Sequence, residues 1–309
     1  MRVGVEPLSA PLEQPDFEVQ LESLSQMQLA WRRFKKHKLA MVGAFLFLAM
    51  CAVAIVGPFL LPYSFYTIPD VDQIVYAGRP PSLAHPFGET GRLQRDVLTL
   101  VVNGARLSLL IGVGASAIGA VIGMIVGGIA GYFGGWIDNL LMRIVDIMLS
   151  LPLLFVILVV SKFLGNGNWY MIMTIFALFG WQGVSRLVRS LFLTLREEDY
   201  VDAARAAGVG DFRIIFRHIL PNAMSPIIVA ATLGVAGVIV SEAFVSYLGF
   251  GVDVTQPTWG NILSNSLNFI TLGNWWWPLF PGLGIVITVL GINFMGDGLR
   301  DALDPRARE

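Results

Sequence analysis

Long apolar runs separated by short polar stretches dominate this chain of 309 residues. A helix needs about 20 mostly apolar residues to cross a bilayer. Six stretches satisfy that: 41–61, 104–131, 140–160, 169–191, 223–248 and 278–295. The pattern predicts an all-α integral membrane protein with six transmembrane helices. It divides into a polar tail at 1–40, a first helix at 41–61, a loop at 62–103, a five-helix core at 104–298 and a short tail at 299–309.

Positive charge orients the spans, because loops rich in Lys and Arg stay on the cytoplasmic side. "WRRFKKHK" precedes the first run with Arg32, Arg33, Lys35, Lys36 and Lys38, which puts the N-terminus inside. Six crossings return the C-terminus, with Arg300, Arg306 and Arg308, to the same side. The 192–222 stretch, with Arg196, Arg205, Arg213 and Arg217, then also lies inside. The outer segments are 62–103, 161–168 and 249–277. The last has no Lys or Arg and ends in Trp275, Trp276 and Trp277, the place of an interfacial aromatic belt. The 62–103 loop, with Arg79, Arg92 and Arg95, is long enough for the rule to weaken.

Composition agrees with the pattern. Hydrophobic residues make up 55% of the chain and charged residues only 14%, against about 25% in soluble proteins. Mean hydropathy is +0.67. The net charge of −1 implies no global attraction to nucleic acid or acidic lipid. The first 30 residues lack a positive stretch followed by an apolar core, so they read as a polar tail and not as a signal peptide. One cysteine, Cys51, excludes an internal disulfide and a cysteine metal cluster. His37, His85 and His218 are too scattered to form a metal site, no phosphate-binding GxxxxGK[ST] occurs, and no Ser/His/acid set suggests catalysis. A non-catalytic chain without metal is expected.

Ala115, Gly119, Gly123, Gly127 and Gly131 recur every four residues on one helix face. Such a face lets helix backbones approach closely in lipid, either as fixed packing or as a sliding seam. Ionisable residues inside spans cost roughly 2.5–3.5 kcal/mol at a helix centre and so raise a functional question. Arg143 and Asp146 stand three apart, where they can pair structurally or serve a transport path. Glu242 has no cation three or four residues away and is expected to face water, a cavity or a partner chain, as a path or gate residue or as a subunit contact.

The stretch 199–222, "DYVDAARAAGVGDFRIIFRHILPN", interrupts the oily chain. Asp199 or Asp202 can cap an Ala-rich helix that Gly208 terminates in a left-handed turn. Asp211 can cap a second helix in which Phe212, Ile215, Phe216 and Ile219 form one apolar stripe, with Arg213 and Arg217 on another face. Pro221 is expected to end that helix before the fifth span. The smooth Ala surface around Asp202 and Arg205 suits a groove on a partner; an amphipathic loop lying on lipid is the alternative.

This segment resembles the "EAA" loop of ABC importer permeases, with Asp202-Ala203-Ala204 at the E-A-A positions, Gly208 at the Gly and Leu220-Pro221 at the closing pair. "HPFG" at 85–88, "GARLSLLIGV" at 104–113, "AGYFGGWIDNLLMRIVDIMLSLP" at 130–152 and "GDGLRDALDPR" at 296–306 are similar to the C-type subunit of the dipeptide/oligopeptide/nickel permease family. The likeness covers roughly 32–306. One stretch departs: "HPFGETGRLQRDV" is one residue longer than the family's HPFGTDxxGRDV, with Gln94 where Gly would precede Arg95-Asp96.

The resemblance implies a type I ABC importer permease fold with a cytoplasmic coupling loop at 199–221. Asp202, Ala203, Ala204, Arg205, Gly208, Leu220 and Pro221 would be the ATPase-coupling residues. The implied partners are a second homologous permease subunit, two cytoplasmic ATPases, an extracytoplasmic substrate-binding protein and membrane lipid. ATP and Mg would be bound by the ATPases and no cofactor by this chain. Peptide is the implied cargo, with nickel or another small solute as the alternative within the family. A self-contained secondary transporter or channel lacks support from paired interrupted segments in matching halves. A structural scaffold would leave the docking-type loop unexplained.

Overall fold

The computed structural model describes residues 26–63, 78–91, 94–164, 167–253 and 255–303. The tail up to residue 25, part of the 62–103 loop including Arg92, residues 165–166, and Arg306 and Arg308 lie outside the described residues. The helices are α1 (Gln26–Lys36), α2 (Lys38–Leu60), α3 (Val97–Phe133), α4 (Gly135–Ser150), α5 (Leu153–Leu164), α6 (Trp169–Leu178), α7 (Gln182–Leu195), α8 (Asp199–Ala206), α9 (Asp211–Ile214), α10 (Leu220–Tyr247), α11 (Trp259–Ile270) and α12 (Trp276–Leu303). A π-helical turn, Ile215–Ile219, joins α9 to α10. Five helical stretches are long and apolar enough to cross a membrane, and a bent pair makes the sixth. The architecture is that of a type I ABC importer permease.

Local chemistry explains where the spans begin and break. The second starts at Val97, not at 104, because Asp96 caps it: its carboxylate accepts from the Thr99 N–H at 2.7 Å. The extra residue before Arg95 is absorbed beside Gln94, which takes a left-handed φ of +43°. Arg95 pairs with Thr90 on both sides of this turn through its carbonyl and its N–H, at 2.8 and 3.0 Å. The expected single span at 140–160 is broken: α4 and α5 meet at an 80° bend. Pro152 forces Leu151 into extended backbone (φ −85°, ψ 125°), which an α-helix cannot contain. The fourth span also breaks, at Phe179–Trp181, around Gly180.

Pro221, by contrast, ends nothing. The backbone stays helical from Asp211 to Tyr247. A proline ring inside a helix normally collides with the carbonyl four residues back. Here Pro221 falls in the first turn of α10, directly after the wider π turn, where Leu220 donates to the Ile215 carbonyl five residues back.

α3 is the central strut. Its small-residue face lies on α6 and α7. A Cβ added at Gly123 would lie 2.9 Å from the Trp181 carbonyl oxygen. One at Gly127 would run into the Ser185 carbonyl and come within 3.0 Å of the Arg189 backbone nitrogen. The ladder therefore packs two backbones directly together. α2 is apolar all round and buries only Ala40, Gly43 and Ala54; Gly43 abuts the Gly291 carbonyl of α12. Its other side leaves Phe45, Leu48 and Phe59 exposed as an apolar surface.

Two features of the end of the bundle where α3 begins were not expected. The 249–277 segment contains α11, capped by Thr258 and Asn261, whose side chains each bond the other's backbone N–H. Trp259 at its start is fully buried and donates from its indole to the Val101 carbonyl of α3 at 3.1 Å. Of the three tryptophans expected in an aromatic belt, only Trp275 is exposed. Trp276 and Trp277 are buried because α12 starts at Trp276 and turns both rings onto the core; the Trp276 indole donates to the Glu89 carbonyl at 3.2 Å.

Replacing Gly127 by Leu forces the α3–α7 backbones apart, and overpacking of this kind costs about 1–3 kcal/mol or more. A lowered melting temperature of the detergent-solubilised protein is the expected result, whereas Gly237→Leu, at a site with nothing within 4 Å of an added Cβ, leaves it near the parent value.

Candidate functional site

The 196–223 segment sits on the C-terminal ends of α3 and α7. Arg196 donates to the Gly131 and Tyr132 carbonyls at 3.1 and 3.3 Å, satisfying the C-terminal end of α3 with a cation at the negative pole of its dipole. The Tyr132 hydroxyl reaches Asp211 at 2.6 Å, and the Arg205 guanidinium lies 5.9 Å from the Tyr132 ring centre. Val201, Ala204, Ile214, Ile219 and Ala223 close an apolar cluster with Val188 and Phe192 of α7. The 196–223 segment is thus mounted on regular helices by one apolar cluster and several polar ties.

α8 starts without side-chain capping by Asp199 or Asp202; Glu198 is its cap residue. Its end follows expectation. Gly208 is left-handed (φ +75°), its N–H bonds to the Arg205 carbonyl, and the Val209 N–H bonds to that of Ala204. This is the Schellman arrangement, which a side chain at Gly208 would strain. The outer surface carries Asp202, Ala203, Arg205 and Gly208, whereas Ala204 faces inward. Asp202 and Arg205 form an exposed pair at 3.0 Å. Leu220 is half-buried and Pro221 exposed, both in the first turn of α10. Burial raises the Tyr200 phenol above its ordinary value.

The expected apolar stripe is rotated. Ile214 and Ile219, five apart across the π turn, face inward, while Phe212 and Phe216 are 75% and 53% exposed. Their rings lie 4.4 Å apart and form an aromatic knob beside the Ala surface of α8. A strict 3.6-residue period put these rings on the buried side; Phe212 and Phe216, four apart, do share one face, but that face is the exposed one, and the π turn instead brings Ile214 and Ile219 together on the buried side.

Glu242 does not face water. It is fully buried inside its own chain, where the Ser246 hydroxyl donates to one carboxylate oxygen at 2.7 Å and the Ser108 hydroxyl to the other at 3.1 Å. Ser108 in turn accepts from the Trp259 backbone N–H at 3.2 Å, and Ser246 from the Val252 N–H at 3.3 Å. Hydroxyls from α3 and α10 do the work that a cation was expected to do, and the knot pins α11 to both helices. The expectation that Glu242 faces water, a cavity or a partner chain is corrected: its own chain encloses it.

Residues 119–309 match the family described as binding-protein-dependent transport system inner membrane component, and residues 25–81 match the N-terminal transmembrane domain of oligopeptide transport permease C. The chain belongs to the first of these families, the binding-protein-dependent transport permeases. This permease is 42% identical over 290 residues to the dipeptide transport system permease protein of Bacillus subtilis strain 168, covering 94% of this chain and 89% of the relative. It is 39% identical over 292 residues to the oligopeptide transport system permease protein of the same strain, covering 94% and 93%. A putative peptide permease protein of Brucella ovis is 38% identical over 286 residues, covering 92% and 93%. The expected C-type subunit assignment agrees with these matches.

Ion pairs in the permease differ from the expected Arg143–Asp146 couple. Asp146 instead meets Arg186 of α7 at 2.6 Å. A neighbouring helix brings a cation closer than the same helix does, so proximity in sequence misassigned the partner. Arg143 is exposed and has no ion-pair partner among the described residues. A second bridge, Arg189 to Asp138, is bidentate at 2.5 and 2.6 Å and more buried, tying α7 to α4. No group of three potential metal ligands occurs among the described residues.

Glu242→Leu leaves the Ser108 and Ser246 hydroxyls without their acceptor, and each unsatisfied buried group costs about 1–3 kcal/mol. The purified variant is expected to melt earlier and to expose α11 to protease, while Glu242→Gln, whose carbonyl oxygen still accepts from one serine and whose NH2 can donate to the other, stays closer to the parent. Parental stability of Glu242→Leu would refute the internal role.

Proposed function

We propose that this permease is one of two similar but non-identical membrane subunits of an ATP-driven importer that carries dipeptides or oligopeptides across the cytoplasmic membrane. Two cytoplasmic ATPases, which bind ATP and Mg, drive it, and an extracytoplasmic binding protein delivers the cargo. Both termini of this chain lie on the cytoplasmic side. The peptide assignment is supported by the names of relatives that align along nearly its whole length.

One observation carries the coupling reading: α8 buries Val201 and Ala204 and presents Asp202, Ala203 and Arg205 outward beside the exposed Phe212–Phe216 knob. A short helix with a small-residue outer face and two unburied aromatic rings beside it is a shape made for a partner's cleft. Its back is joined to α3 and α7, so a push on α8 reaches the spans through Tyr132, Arg196 and the apolar cluster. Closure of the ATPases upon ATP binding then shifts the spans as rigid bodies and alternates access.

The structure separates two substitutions that the sequence treats alike. Ala203→Arg adds bulk to the exposed docking face, so ATP-dependent uptake of a labelled dipeptide is expected to collapse while the protein inserts normally. Ala204→Arg drives a guanidinium into the apolar cluster, and loss of folded protein is the expected outcome. Normal uptake by well-expressed Ala203→Arg refutes the coupling role. Uptake of nickel without uptake of dipeptide by the reconstituted complex refutes the peptide assignment.

A further inference from the structure

We propose that Arg106 anchors the terminal carboxylate of a peptide in a cavity between α3, the start of α6 and the segment that leads into α11. Arg106 is the only charged residue in α3. It is exposed and has no hydrogen-bond or ion-pair partner among the described residues. Beyond it the exposed side of α3 continues with Leu110, Val113, Val121 and Ile125, all apolar. Gly57, in the last turn of α2, packs on Val102. Arg106 stands one turn further along α3, so it lies alongside the first span and not past its end. An ionisable side chain inside a span calls for a named partner, and an unpaired guanidinium calls for an anion.

Space for that anion lies beside it. Asn103, Arg106 and Leu110 of α3, Trp169 of α6, and Gln256 and Pro257 all line one cavity of about 390 Å³. No acidic side chain is among its lining residues. Small-molecule sites run from about 300 to 1,000 Å³ and combine apolar walls with a few convergent polar groups. This cavity has both, and its one charge is positive.

The walls are fixed before any ligand arrives. Trp259 donates from its backbone N–H to Ser108 at 3.2 Å and from its indole to the Val101 carbonyl at 3.1 Å. The segment carrying Gln256 is thereby pinned to α3 on both sides of Arg106. The Gln256 side chain donates to Asn168 Oδ1 at 3.2 Å and accepts from the Trp169 N–H at 3.4 Å, which ties the same segment to α6. Asn103 spends its NH2 on the Thr99 carbonyl at 2.8 Å and keeps its amide oxygen as an acceptor. Asp253, the acid of this segment, is already engaged by the Thr255 N–H and hydroxyl at 2.8 and 2.6 Å. No described acid pairs with Arg106, so the anion comes from outside this chain.

The choice of anion rests on the peptide reading above. A free peptide ends in a carboxylate, whose two oxygens accept two parallel N–H bonds from the guanidinium. The Asn103 oxygen accepts a peptide N–H, and Trp169 and Leu110 cover an apolar side chain. The amino end meets no acid among the lining residues, so one end alone is held. A free divalent cation is repelled by the same guanidinium, which sets peptide apart from nickel at this site.

The single cysteine makes the test direct. The assembled complex is used without its binding protein and with Cys51→Ala as background. Leu110→Cys puts a thiol one helical turn from Arg106 on the same face. Leu83→Cys, on the exposed loop before α3, is the control. Each is treated with an anionic and a cationic methanethiosulfonate reagent, with and without ATP, and labelling is read on this chain. The anionic-to-cationic rate ratio at 110 should fall roughly fivefold on Arg106→Gln, the effect of one unit charge about 6 Å away on two reagents of opposite sign, reduced by salt. Arg106→Lys, which keeps the charge, should hold the ratio, and the ratio at 83 should not move. Free Ala-Phe should slow the reaction at 110, whereas Ala-Phe-amide should not. No reaction at 110 in either nucleotide state means that a partner subunit or lipid covers the site, and overturns the proposal. A ratio unchanged by Arg106→Gln overturns it too, as does protection by free Ala-Phe that is absent or matched by the amide. If Arg106→Gln does not assemble, the two peptides on the complex with Arg106 intact decide. A parental complex that imports no dipeptide, yet is shielded at 110 by free Ala-Phe alone, refutes the peptide-import reading and upholds this site.

Discussion

The close contact between α3 and α7 is the constraint on which the rest depends. In lipid there is no hydrophobic drive between helices, so association relies on tight packing. The glycines of α3 let its backbone lie against the carbonyls of Trp181, Ser185 and Arg189. That contact sets where α7 can put its arginines. Arg196 then reaches the last carbonyls of α3, Arg189 reaches Asp138, and Arg186 reaches Asp146. The same contact brings Tyr132 and Phe192 beneath the 199–221 segment.

Regular helices make the frame, and irregular backbone makes the working parts. Gly208, the π turn at 215–219, the Leu151–Pro152 break and the Phe179–Trp181 break each depart from the α-helix. The first two shape the exposed face of the 199–221 segment. The other two flank a cavity of about 460 Å³. Lipid tolerates such departures only when they are covered or wet, so their positions report on what surrounds the chain.

The end of the bundle where α3 begins is knitted by buried polar groups. Glu242 gathers hydroxyls from α3 and α10, and through Ser108 it holds the start of α11. Asp96 caps α3 and also contacts His85 at 3.0 Å, while Glu89 contacts the other ring nitrogen at 3.1 Å. The Trp276 indole closes that loop against α12. These ties bind the start of α3 to the described loop residues around it, opposite the end that carries the 199–221 segment.

The sequence by itself determined the span-forming segments, the glycine face, the left-handed stop at Gly208 and the family. These rest on local sums and short motifs: apolar length, spacing of four, a glycine after an Ala-rich helix. α11 was within reach too, since Thr258 and Asn261 stand at capping spacing before an apolar run. Only the tertiary structure decided the partners. Asp146 met Arg186, not Arg143; Glu242 met Ser108 from 134 residues away; Phe212 and Phe216 turned outward. Electrostatic and hydrogen-bond partners are chosen by distance in space, and a single π turn rotates every side chain beyond it. Neither quantity can be summed along the chain.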